Sequence, residues 1–216
     1  MAIISAAMVL GLSVAPPVAG AQLTLASAHL TTGAKTYSAP TTCTLSAAAD
    51  SYVNKLLSGT NFGTATTLLV SPDSTVTERT FIRFDLAGCS PAIPAGAIVQ
   101  SASLKLSVAL LATATRTIEL RSTQASWTEA GVTWTNQPSV SGSVTSSASV
   151  ATGTVAGTVM TWTATSDVQA FVSGAATNFG WRLGDSAEGV LLGPTLTLGS
   201  KEAASGRPQL AVTYVS

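Results

Sequence analysis

The sequence predicts an all-β fold, an antiparallel β-sandwich of about nine or ten strands with one short helix. Three observations carry it. Apolar and polar residues alternate over short runs, the period of a half-buried strand. Turn residues such as Ser58-Gly59-Thr60-Asn61 and Pro72-Asp73 punctuate those runs at intervals of about 8–12 residues. One stretch alone, Asp167 to Val172, reads as a helical turn, with Asp167 near its N-terminus.

The chain opens on an extended apolar segment. Met1 to Gln22 carries no charge, and its apolar stretch ends in Ala19-Gly20-Ala21, the small-residue pattern of a secretory cleavage site. No Lys or Arg precedes the run, and Pro16-Pro17 interrupts it short of the roughly 20 residues a membrane span needs. No stable membrane span is expected. The same segment alternates, with Ile4, Met8, Leu10, Leu12 and Val14 on one face of an extended strand. It is therefore either a signal or a strand that completes a neighbouring subunit's sheet. Residues 1–21 form this signal-like segment or donor strand, 22–46 an extended lead-in, and 47–216 the sandwich.

Within the sandwich, Asp50 to Val53 is the first strand and Thr67 to Ser71 the next, stopped by Pro72-Asp73. Arg79 to Leu86 places Thr80, Ile82, Phe84 and Leu86 on one face, with Arg79, Arg83 and Asp85 on the other. Ser101 to Leu110 turns Ala102, Leu104, Leu106 and Val108 inward and Ser103, Lys105 and Ser107 outward. Arg116 to Arg121 repeats the alternation with Ile118 and Leu120 inside. Further strands are legible over 158–163, 180–184, 191–198 and 209–215. Segment 139–157, built from Ser, Thr, Gly, Val and Ala, is a long mobile loop or a glycine-softened pair of strands.

Composition narrows the function. Only 9% of the 216 residues are charged, against roughly 25% in an ordinary domain, so the surface is largely Ser, Thr, Gly and Ala. Ten Lys and Arg balance ten Asp and Glu, which leaves no excess charge to neutralise phosphates and argues against nucleic acid. His29 is the sole histidine, and neither Gly-x-Ser-x-Gly nor His-Glu-x-x-His occurs. No catalytic residue is assigned, and the chain is read as a non-enzyme. Cys43 and Cys89 are an even pair in a chain that looks exported, so a disulfide is expected. It would close a loop of about 46 residues and contribute about 3–4 kcal/mol on the chain-entropy model. No cofactor and no metal are expected. Asp50, Asp73, Glu78 and Asp85 are the carboxylates a structural calcium ion would take, but no ligand loop of recognisable spacing supports one.

Arg79, Arg83, Lys105 and Arg121, with Glu119 among them, project from the outer faces of three strands. As neighbours they form a modest basic patch that binds carboxylated sugars through charge-assisted hydrogen bonds. As scattered residues they are solvated charges that discourage edge pairing. Trp127 and Trp134 flank Glu129 and are either a stacking platform for a glycan or aromatic wedges in the core. Trp162 alternates with Met160 and is assigned to the core, while Trp181 fits either place.

A series of pieces in order, Ala49-Asp50-Ser51-Tyr52-Val53, Asn61-Phe62-Gly63-Thr64, Phe81-Ile82-Arg83-Phe84-Asp85-Leu86 and Ile93-Pro94-Ala95-Gly96-Ala97, resembles the DNRLRE domain family of secreted proteins. The series continues through Trp127-Thr128-Glu129-Ala130-Gly131-Val132-Thr133-Trp134, Asn136-Gln137-Pro138, Asp167-Val168-Gln169-Ala170-Phe171-Val172, Ser200-Lys201-Glu202-Ala203 and Arg207-Pro208-Gln209-Leu210. The resemblance implies a jelly-roll-like sandwich without catalytic activity. Some members of that family are grouped with carbohydrate-binding modules, binders of uronate-rich polysaccharide among them.

Two functions remain open, both extracellular or at the cell surface. One is a structural subunit of a filament or surface assembly, a homopolymer joined by donation of the strand holding Ile4, Met8, Leu10, Leu12 and Val14. The other is a secreted carbohydrate-binding or adhesive module that recognises a polysaccharide, with residues 1–21 a cleaved signal.

Overall fold

The computed structural model describes residues 37–216. These form an all-β sandwich of eleven strands and one α-helix. The strands are β1 (Thr41–Ser46), β2 (Ala49–Asn54), β3 (Thr67–Val70), β4 (Glu78–Arg83), β5 (Ile98–Ser107), β6 (Arg116–Ser122), β7 (Ser146–Val150), β8 (Val159–Thr163), β9 (Trp181–Asp185), β10 (Leu196–Gly199) and β11 (Gln209–Val215), and α1 is Thr165–Val172. Ile4, Met8, Leu10, Leu12 and Val14 lie outside the described residues.

One layer is a four-stranded sheet ordered β1-β11-β5-β8, the other a five-stranded sheet ordered β2-β4-β9-β6-β7, and β10 pairs with β3 in a small third sheet. All these pairings are antiparallel. Alternation supplies the core from both layers. Leu45, Leu210, Leu104 and Trp162 stand in one row across the four-stranded sheet, and Leu120 and Leu183 face them from the five-stranded one. Trp162 is fully buried, and its indole N–H donates to the Ile118 carbonyl 2.9 Å away, so one side chain spans both layers. Trp181 is also core, which decides the sequence ambiguity, and it donates to Asp167 Oδ2 at 2.7 Å. Asp167 thus does more than sit at the start of α1: the same oxygen accepts from the Thr145 hydroxyl.

Four elements differ from the alternation reading. β1 lies in the expected lead-in but pairs along its length with β11, and Cys43 on its inner face is joined to Cys89, so the expected disulfide pins this edge strand. β5 starts three residues early, at Ile98, because a bulge opposite Thr213/Tyr214 lets Val99 and Ala102 both point inward. Segment 139–157 yields a single edge strand, β7, followed by turns in which Gly153 and Gly157 take positive φ. The expected strand over 191–198 shrinks to Leu196–Gly199, since Leu192 itself has φ of 55° and Gly193-Pro194 breaks the run.

Candidate functional site

The loop from Trp127 to Trp134 folds over the outside of β2 and β4. Trp127 and Val132 pack on Ala49, Val53 and Phe81 in a second, smaller apolar cluster, with Trp134 half-buried beside it. This is why five of the six residues of β2 are buried, all but Tyr52, a pattern alternation alone does not give. The loop is held by Asn61, whose amide donates to the Glu129 carbonyl at 2.7 Å and the Val132 carbonyl at 2.8 Å. Trp127 is therefore corrected as a stacking platform: its ring lies 5.9 Å from that of Phe81, and its N–H donates to the Phe179 carbonyl.

Beyond this loop the outer face of the five-stranded sheet carries the charge. Antiparallel register places paired residues on one face. Arg121 of β6 stands opposite Arg182 of β9, and Arg182 opposite Phe81 of β4, with Arg79 two residues along that strand. Three guanidiniums from three adjacent strands thus meet. Arg79 makes a two-pronged pair with Glu188, reaches Gln137 at 3.1 Å, and sets its guanidinium 4.6 Å from the centre of the Trp134 ring. Arg121 pairs with Glu119 at 2.8 Å and donates to the Gly142 carbonyl at 2.6 Å.

Arg182 is different. Its Nε is buried without a hydrogen-bond partner. Burial, then the nearby positive charges of Arg79 and Arg121, hold its pKa below the ordinary arginine value, with Glu188 and Glu119 opposing. Gly184 makes the space: a Cβ there would lie 2.9 Å from Glu188 Oε1 and 3.2 Å from Arg182 Nη2. The cluster of three arginines and two glutamates leaves one uncompensated positive charge, on a group that still has donors to offer.

The other sequence-predicted residues divide. Arg83 shares this face, 6.0 Å from the Trp127 ring centre. Lys105 does not: it pairs in register with Gln209 and Thr161 on the outside of the four-stranded sheet, so the single patch is corrected to two separate faces. The four carboxylates weighed for calcium do not converge either. Asp73 Oδ1 accepts from the Thr75 and Val76 N–H groups, Glu78 accepts from Asn54 and Thr195, and Asp85 caps a 3-10 turn at Ala87. Burial pushes the Glu78 carboxyl above its ordinary range. A pocket of about 460 Å³ between Thr66, Ser107, Ala109, Gly157 and Gly206 has no charged or aromatic lining group.

Arg182 is not among the residues the sequence singles out. Its signal was present in Trp181-Arg182-Leu183-Gly184-Asp185, where alternation turns Arg182 away from the core. The model of carbohydrate-binding module family 96 matches residues 41–214, from the first residue of β1 to within β11. No curated protein matches the chain.

Proposed function

We propose, from the premise that this chain belongs to carbohydrate-binding module family 96, that it binds an acidic polysaccharide on the outer face of its five-stranded sheet. The family match favours this over the filament subunit, whose donor residues lie outside the described residues. One observation carries the choice of ligand: the guanidinium of Arg182 is flanked by Arg79 and Arg121, and its positive charge has no carboxylate paired with it.

A carboxylate answers that arrangement best. The guanidinium fork takes a planar carboxylate with two parallel hydrogen bonds, and such charge-assisted bonds are about twice as strong as neutral ones. A neutral sugar would meet the same donors but leave the positive charge unmatched in a half-buried setting. Trp134 lies beside Arg79 and offers an apolar surface to a sugar ring. Binding on a rigid sheet costs little ordering entropy for the two flanking arginines, because Glu188 and Gln137 already hold Arg79 and Glu119 already holds Arg121. The chain acts by holding, as a secreted non-catalytic module; the Cys43–Cys89 disulfide fits an oxidising compartment.

Calorimetric titration of the full chain with polyuronate oligosaccharides (mannuronate, guluronate, galacturonate), against neutral mannan and cello-oligosaccharides, tests the reading. Uronates bind and neutral oligosaccharides do not; tighter binding of the neutral series refutes the choice of ligand class.

A further inference from the structure

A second cluster of side chains lies away from the three arginines. Asp50 on β2, Glu129 in the tryptophan loop and Glu202 in the turn before β11 each bring a carboxylate oxygen within 4.8 Å of the others. Three segments far apart in the chain supply them. Asp50 is only 1% exposed, yet its two oxygens fare differently. Oδ2 accepts from the Lys201 backbone N–H at 2.7 Å, while Oδ1 is buried with no hydrogen-bond partner at all. A buried carboxylate oxygen without a donor is costly, and native structures give such atoms a proton or a cation.

Among the neighbours only the Glu202 carboxyl can relieve it, by sharing a proton with Asp50. Glu129 Oε1 accepts from the Asp50 N–H at 2.9 Å and from Lys201 Nζ at 3.1 Å. Glu202 accepts from Ser200 Oγ at 3.2 Å and also pairs with Lys201 Nζ. One ammonium therefore pairs with two of the three carboxylates, and the Asp50 carboxyl has no cation. The positions are built in, because Gly63 approaches so closely that a Cβ there would lie 2.3 Å from the Glu129 carbonyl oxygen.

We infer that Asp50, Glu129 and Glu202 bind a calcium ion that clamps β2, the tryptophan loop and the turn before β11 together. The donors are all oxygen, which suits a hard cation and disfavours zinc or copper. Side chains from three irregularly placed segments suit calcium, which tolerates six to eight ligands in flexible geometry and fills the rest with water, over magnesium, which demands a near-ideal octahedron. Lys201 is a competitor: its flexible ammonium holds two of the same carboxylates and moves out when the ion enters. This site is independent of the arginine face.

The test uses the full chain, stripped with EDTA, titrated with calcium chloride by calorimetry and melted with and without it. One ion binds per chain and the melting temperature rises. Asp50→Asn retains an acceptor for the Lys201 N–H and lowers calcium affinity at least about 100-fold, and Glu202→Gln lowers it about tenfold or more. Lys201→Met raises it, and Asp85→Asn leaves it unchanged. Absence of binding by the wild-type chain at millimolar calcium overturns the site, as does affinity that survives Glu202→Gln undiminished. Should Asp50→Asn fail to fold, Glu202→Gln, a substitution at a partly exposed side chain, decides alone.

Discussion

On the four-stranded sheet the outward row across β1, β11, β5 and β8 reads Thr44, Ala211, Ser103 and Thr163, and the next reads Ser46, Gln209, Lys105 and Thr161. On the five-stranded sheet the outward row from β4 to β6 reads Phe81, Arg182 and Arg121, with Glu119 and Gly184 in the row beside it. The same two-residue alternation builds both, and both bury Leu, Val and Trp on the inside. The four-stranded face is a hydroxyl lawn in which Thr42 and Thr213 bond to each other at 2.9 Å and Lys105 is the one charge on its strands among the described residues. Such a face needs nothing from outside. The five-stranded face gathers charges across strands at a desolvation cost that its own ion pairs do not fully offset, since Arg182 Nε stays unpartnered. On the proposed reading, a ligand on this face offsets that cost.

Replacing Arg182 has the largest expected effect. Arg182→Gln weakens uronate binding about 100-fold, the loss of two charge-assisted hydrogen bonds at roughly 1.5 kcal/mol each, while thermal stability holds or improves because a buried charge is gone. Calorimetry and a melting curve on one preparation measure both. Next comes Trp134→Ala, which removes the apolar surface beside Arg79 and costs about fivefold in affinity.

The pH dependence of stability also separates the sheets, because the strands of the four-stranded sheet hold no Asp or Glu among the described residues. Glu78, on β4, has its carboxyl raised by burial above the ordinary 4.5, against the hydrogen bonds from Asn54 and Thr195. A carboxyl raised in the fold stabilises it while protonated. Its contribution is full below the ordinary value and is lost as pH rises through the folded value. Denaturant midpoints of Glu78→Gln are expected to change less with pH across that window than wild type; an unchanged slope removes Glu78 from the explanation. Smaller again is Glu188→Gln, which frees Arg79 and adds one net positive charge to the face, tightening uronate binding about two- to fivefold. Lys105→Gln on the opposite face changes affinity less than about twofold, and any larger loss moves the ligand to the wrong side.

Much of the scaffold is legible in the sequence. β4, β5, β6 and β11 follow from alternation, and the cysteine pair follows from its count in an exported-looking chain. What stayed hidden depends on which strands lie side by side. Arg182 faces outward by its own local pattern, but it meets Arg79 and Arg121 only because β9 is inserted between β4 and β6. The same missing order let Lys105 be grouped with arginines that lie on the other sheet. Trp127 was ambiguous because its neighbours Ala49, Val53 and Phe81 are on the outer side of two earlier strands, a packing no local period reports. The bulge at the start of β5 hid for the reverse reason: it breaks the period that reveals strands.

A nitrogen-15 nuclear magnetic resonance titration of the full chain with a short uronate oligosaccharide tests the two-face distinction most directly. Saturable shifts at the Nε–H signals of Arg182 and Arg121 and at the backbone of β9 and β6, with the Lys105 strand silent, are the predicted result. Shifts centred on Thr161, Lys105 and Gln209, with Arg182 unmoved, would contradict it.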